Sequence, residues 1–163
     1  MPRLLITTLL ACFLTGIVWG AFPGEVQAQK APKFWITNFE RKRFDSRKHE
    51  GSIVLSFFFV DCVPCIKEIP QLHKLITTEY PDAALLFVDP IGEDSPEYIK
   101  EFAERLGVPV PLFYHDPLGR LAKKFFKGRF VFPTIVGMRA GSILFRVNDL
   151  GPESLAKIDG ALR

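Results

Sequence analysis

An apolar run from Ile53 to Val60, rich in β-branched and aromatic residues, precedes Asp61-Cys62-Val63-Pro64-Cys65. Such a run predicts a strand buried on both faces, and the wider spacing of apolar residues beyond Asp61 predicts a helix. Ile66, Ile69, Leu72, Leu75 and Ile76 share one side of that helix, which extends to about Glu79 and is expected to bend at Pro70, whose ring displaces the carbonyl four residues back. Ala83 to Val88 reads as a second buried strand. Ser95-Pro96-Glu97 is a helix start, with an N-cap and a proline at the first position, and Leu106-Gly107 is its stop. Val110 to Tyr114 predicts a third strand, Leu118 to Phe126 a short helix with Leu121, Ala122 and Phe125 inward. Phe130 to Val136 and Ile143 to Val147 predict strands joined across the turn Arg139-Ala140-Gly141-Ser142, and Glu153 to Leu162 a last helix with Leu155, Ile158 and Leu162 on one face. Upstream, Phe34-Trp35-Ile36 and Arg43-Phe44 flank a polar turn, Asn38 to Lys42, as in a short hairpin. Strands alternating with helices and closing on a hairpin and a helix define an α/β fold with a central mixed sheet flanked by helices.

The N-terminus breaks this pattern. Arg3, the apolar stretch Leu4 to Ala21 and the small-x-small site Val26-Gln27-Ala28 together make residues 1–28 a secretory signal. An uncleaved anchor is a second reading, because the stretch approaches the ~18 residues at which a membrane-spanning helix becomes credible. Acylation at Cys12, in Leu9-Leu10-Ala11-Cys12, is a third, although the chain stays apolar through Trp19 where a lipoprotein would turn polar. The 135 residues from Gln29 to Arg163 suit one domain with a real core, and fourteen of the sixteen phenylalanines lie there. A net charge of +3, with basic residues scattered apart from Arg41-Lys42-Arg43 and Lys123-Lys124, points to a solvated turn and helix face and not to a nucleic-acid surface.

Without residues 1–28 two cysteines remain, both in Cys62-x-x-Cys65. An exported chain meets oxidising conditions, so a lone pair spaced for exchange indicates redox work in a periplasmic or other extracytoplasmic compartment. The pair falls where a strand gives way to a helix. Residues three apart on a first turn are close enough for modest closure to a disulfide, and the helix N-terminus favours thiolate over thiol. Cys62, at the very start, is expected to be the exposed nucleophile, and Cys65, one turn in, the resolving thiol. A structural zinc site would need four ligands, and no second Cys pair or close His pair accompanies this one. His49, His73 and His115 match no motif, and surface or loop roles are the default. No cofactor is implied.

These residues resemble the exported thioredoxin-like thiol-disulfide oxidoreductases of the TlpA/ResA type. Four features carry the likeness across the chain beyond the signal: the strand into Cys62-x-Pro64-Cys65, the run Cys65-x-x-Glu68-x-Pro70, the βα insert from Glu93 to Tyr114 followed by Asp116-Pro117, and Pro133-Thr134 before the terminal hairpin. The resemblance implies a thioredoxin-like fold with an N-terminal hairpin and a redox disulfide between Cys62 and Cys65. It also implies a cis Phe132-Pro133 bond facing that disulfide, so that Phe132, Pro133 and Thr134 receive a substrate's backbone. From sequence alone Pro133 could equally be a trans proline at a strand edge. Glu68 would manage the proton of Cys65, the alternative being a solvated helix charge. Exported protein disulfides are the implied substrates, apocytochrome c among them, and a membrane thiol carrier the electron donor.

Two positions depart from the family pattern. Asp61 stands where Trp is common; its carboxylate would cap the helix, while its charge would oppose a neighbouring thiolate. Ser56 occupies the place of the buried carboxylate of cytoplasmic thioredoxin, leaving Glu68 to serve alone. The Val63-Pro64 dipeptide contains no His, which leans toward a reductant. A copper metallochaperone on the same fold is the alternative function, but such proteins usually space the cysteines by three and add a nearby His. A peroxidase would require Pro-x-x-x-Thr-x-x-Cys, which precedes neither cysteine.

Overall fold

Alternation of side chains along the strands decides which layer each residue joins. The computed structural model describes residues 29–128 and 131–163. Its central sheet has five strands in the order β5-β4-β3-β6-β7, built from β3 (Ile53–Phe57), β4 (Ala84–Asp89), β5 (Phe113–His115), β6 (Thr134–Arg139) and β7 (Ser142–Val147). The first three run parallel, β6 lies antiparallel to β3, and β7 returns against β6. All five residues of β3 are buried, as its near-continuous apolar sequence requires of a strand covered on both faces. A separate hairpin pairs β1 (Trp35–Thr37) with β2 (Arg43–Asp45) through Ile36 and Phe44. Asn38 shapes its turn by accepting the amides of Glu40 and Lys42 at 3.1 and 2.9 Å.

One sheet face carries Val54, Leu85, Phe87, Phe113, Ile135, Phe145 and Val147. Onto it pack α1 (Val63–Glu79), α2 (Pro96–Arg105) and α4 (Pro152–Leu162), through Cys65, Ile69, Leu72 and Ile76, Ile99 and Phe102, and Ile158 and Leu162. The intervening strand residues, Ile53, Leu55, Phe57, Leu86, Val88 and Val136, face the other way and meet the hairpin and the short α3 (Ala122–Phe125). Phe57, Phe125 and Phe34 join this second layer in ring contacts of 5.7 and 6.0 Å.

Several elements differ from their sequence expectation. The strand β3 ends at Phe57 although the apolar run reaches Val60, because after one further bond from Phe58 to Val88 the chain turns to enter α1. The helix after it starts at Val63, directly after Cys62 as the placing of the Cys pair on its first turn required, and the Cys62 carbonyl accepts the Ile66 amide at 3.1 Å. It runs on through Pro70, which removes one hydrogen bond without ending it. Val110–Leu112 forms a 3-10 turn, so the third predicted strand shrinks to β5. The predicted helix from Leu118 shrinks to α3, because Gly119 (φ 59°) turns the chain first and Asp116 takes the amides of Arg120, Leu121 and Ala122 at 2.8 to 3.1 Å. The signal, anchor and acylation readings of residues 1–28, Cys12 included, lie outside the described residues, as does Phe130. Among the described residues no helix is long and apolar enough to cross a membrane.

Candidate functional site

The Cys pair sits where β3 feeds α1, on the side of the sheet that carries the three long helices. Cys62 is the N-cap residue and Cys65 the third residue of α1, and a disulfide joins them across a Cα–Cα distance of 5.2 Å. The N-cap places an S–S bond beside the amides that no helical carbonyl satisfies, the position at which a developing thiolate is stabilised. Asp61 does not cap the helix. It adopts a left-handed conformation (φ 63°), and the cap position, shifted to Cys62, makes no side-chain capping bond. The expectation of an exposed Cys62 is corrected as well: in the disulfide form it is 2 % exposed and Cys65 fully buried. The cause is the left-handed turn at Asp61, which folds the Cys62 amide back onto the Val60 carbonyl at 2.7 Å and turns the side chain into the core beside Phe58 and Ile69. Exposed beside the pair are the apolar Val63 and Ile66 together with the charged Asp61 and Lys67, and Val131, just ahead of the cis-proline bond, is exposed as well.

Glu68 follows Cys65 by three residues and so shares its side of α1. Its carboxyl is half-buried, with one oxygen buried and unpartnered. Burial holds this carboxyl above its usual range and the charge of Asp149 adds to the effect, while Lys67 and the Leu150 amide pull the other way. The environment of Glu68 is therefore the seam between α1 and the loop linking β7 to α4.

The chain returns to this end of the sheet before β6. Thr134 registers opposite Phe57, and the Phe132 ring packs edge-on against Phe59 at 5.2 Å, which brings residues 131–134 beside the loop that ends in Cys62. The Phe132-Pro133 bond is cis, and Pro133 is buried. Thr134, 1 % exposed, spends its hydroxyl inside the protein: it donates to the Val131 carbonyl at 2.5 Å and accepts from Asn148 Nδ2 at 2.6 Å. Asn148 also donates to the Pro133 carbonyl at 3.2 Å, so Thr134 and Asn148 shape the segment from behind.

Sequence reasoning missed a second pair of carboxyls. Asp89, the last residue of β4, is fully buried; its Oδ1 accepts the Ile91 amide at 2.8 Å and its Oδ2 has no partner. Burial first, then the facing Asp94, push its carboxyl up to about 8. Asp94 Oδ2 in turn accepts the Val60 amide at 3.0 Å. Two acidic residues five apart after an apolar strand were the available signal. Ser56 is buried in β3, while His49 and His115 bond the carbonyls of Ser52 and Ile91 at 3.1 and 3.0 Å. Among the described residues no group of three His, Cys, Asp or Glu side chains is arranged to hold a metal.

A parallel β3-β4 pair, an antiparallel β6-β7 hairpin, a Cys pair opening the first long helix and a cis proline before β6 make up a thioredoxin-like fold. The chain belongs to the AhpC/TSA family, whose sequence profile matches residues 28–128. It is 29% identical over 122 residues to the thiol-disulfide oxidoreductase ResA of Bacillus anthracis, covering 68% of each chain. Among solved structures, a candidate protein disulfide isomerase from Bacteroides thetaiotaomicron superimposes with a TM-score of 0.69 at 26% identity, over 83% of this chain and 89% of that one. A thiol:disulfide interchange protein of the thioredoxin family from Chlorobium tepidum gives a TM-score of 0.69 at 18% identity, over 85% and 99%.

Proposed function

We propose that this protein is an extracytoplasmic thiol-disulfide oxidoreductase that reduces disulfides in exported proteins through Cys62 and Cys65. The observation that carries the reading is the disulfide at the N-terminus of α1, bordered by the cis-proline segment. In the reduced protein the Cys62 thiolate attacks one sulfur of a substrate disulfide, forming a mixed disulfide and expelling the first substrate thiolate. Deprotonated Cys65 then attacks Cys62 Sγ, which closes the Cys62–Cys65 bond and releases the second substrate thiol. Two electrons pass to the substrate, and a membrane dithiol carrier supplies two more to reduce the Cys62–Cys65 disulfide, becoming oxidised itself. Cys62 is buried while the disulfide is closed, so an incoming thiolate reaches it only after a local rearrangement. Glu68, on the face of α1 that carries Cys65, accepts the proton of that thiol. Val63, Ile66 and Val131 give the site an apolar rim suited to an extended, unfolded substrate, with apocytochrome c one such polypeptide.

Reduction of insulin by the purified protein with a recycling thiol tests the reading, together with Cys65→Ser expressed in cells. Catalysed reduction above the uncatalysed thiol, and exported partners trapped on Cys62, are the expected results. A protein that neither accelerates reduction nor traps a partner is not an oxidoreductase; tight stoichiometric Cu(I) retention after dialysis would then favour the metallochaperone.

A further inference from the structure

The disulfide is held in place by a loop, and that loop is tied down from a distance. After Phe57 the chain leaves the sheet with one more backbone bond, Phe58 N to the Val88 carbonyl at 3.1 Å. It then passes through Val60 and the left-handed Asp61 to reach Cys62. A non-glycine residue keeps that conformation only where its surroundings over-determine it. On the N-terminal side the restraint is a side chain 34 residues away: Asp94 Oδ2 accepts the Val60 amide at 3.0 Å, and the carbonyl of the same residue accepts the Cys62 amide at 2.7 Å. One peptide step therefore links Asp94 to Cys62.

Asp94 is itself backed by Asp89 from the end of β4. Two carboxyls facing one another with one fully buried do not both ionise, so one of them stays neutral. Burial and the facing Asp94 both raise the Asp89 carboxyl, which favours its neutral form, while Asp94 Oδ2 is the oxygen that accepts the Val60 amide. Four other titratable groups lie around the pair, two of them engaged in hydrogen bonds and two on the adjoining chain. His115, registered opposite Asp89 on β5, bonds the Ile91 carbonyl; Asp116 accepts the amides that open α3; Asp61 lies on the loop itself, and Glu93 precedes Asp94 in sequence.

We propose that Asp94, supported by Asp89, is a positioning residue for Cys62, fixing through the Val60 amide the loop geometry in which the sulfur meets an incoming thiolate or disulfide. The inference rests on the redox reading for its purpose, though not for its geometry. A hydrogen-bond role and a through-space charge role separate cleanly in variants. Asp94→Asn removes the charge but keeps an oxygen for the Val60 amide, whereas Asp94→Ala removes both.

The test follows alkylation of the reduced full-length protein by iodoacetamide, peptide by peptide, from pH 5 to 10, beside its exchange rate with a small disulfide. Asp94→Ala should shift the pH profile of Cys62 and slow exchange by up to about a hundredfold, the scale expected of a reacting group misplaced by about 1 Å. Asp94→Asn should stay within about twofold of wild type. Equal effects of the two substitutions would overturn the proposal in favour of simple electrostatics, and so would an Asp94→Ala profile that superimposes on wild type, even with a lowered melting temperature. Should Asp94→Ala fail to fold, hydrogen exchange of the Val60 amide in the wild-type protein decides: protection supports the tie, and exchange at the unstructured rate overturns it. If wild type reduces no disulfide while the Cys62 profile still shifts in Asp94→Ala and recovers in Asp94→Asn, the redox reading falls and the positioning role stands.

Discussion

Glu68 and Asp89 are carboxyls held above their usual range for the same first reason, burial, and both affect stability in the same direction. A raised carboxyl pKa means that the folded chain keeps a proton the unfolded chain has released, so stability falls as pH rises through the interval between the two values. For Asp89 that interval runs from 3.8 to about 8, a ceiling on the order of 5 kcal/mol. Melting temperatures at pH 5 and pH 8.5 should therefore drop further in wild type than in Asp89→Asn, and parallel curves would show that Asp89 ionises as freely as in the unfolded chain. Glu68→Gln should keep the fold and alter the pH dependence of thiol reactivity, because the linked titrations of Cys65 and Glu68 reduce to one. Superimposable profiles would leave Glu68 without a part in proton transfer. Glu68 was legible because it lies within the helix that the Cys pair opens, where spacing alone fixes its side. Asp89 was not: an Asp-Pro step after an apolar strand signals a turn, and only the strands and loops packed around it bury it. Exposure at Cys62 was misjudged for a related reason, since no local pattern announces a left-handed Asp61.

At the scale of elements, β4 and β7 emerged within a residue of expectation, whereas β6 spans Thr134–Arg139 where Phe130 to Val136 was expected, because the cis-proline segment precedes the strand. The failures were short elements whose limits depend on one side chain, such as Asp116 before α3, or on where a strand's neighbour ends, as for β3. Ser95 was readable as a cap, and its hydroxyl accepts the Tyr98 amide at 3.2 Å. Ser95→Ala should cost about 1 kcal/mol, read as a lower denaturation midpoint with an unchanged slope. Gly137 is a stricter case that periodicity hides. It lies at an irregularity in the β6-β7 pairing, and a Cβ there would come within 2.0 Å of the Phe145 ring. Gly137→Ala should destabilise by about 3 kcal/mol, and Phe145→Leu in the same chain should recover part of the loss. Additive losses would mean that the ring is not the obstacle.

Across the whole molecule, the strand that leads into Cys62 sits at the centre of the sheet, with β4 beside it from the next stretch of chain and β6 from far downstream. Synthesis runs in one direction, and this order has a consequence for the newborn polypeptide. Cys62 and Cys65 are made well before Thr134 and the cis-proline segment, so the two thiols must exist for a time without the wall that later borders them. A central strand flanked on one side only leaves one edge unpaired, and α1 lacks the part of its floor that Ile135, Phe145 and Val147 supply beside Ile69 and Leu72. During that interval neither thiol holds the position that sets it apart from the other. Chains halted before Thr134 should accordingly be alkylated at comparable rates at both cysteines, whereas completed, reduced chains should react faster at Cys62; a halted chain that already favours Cys62 would place the origin of its reactivity in the first helix alone.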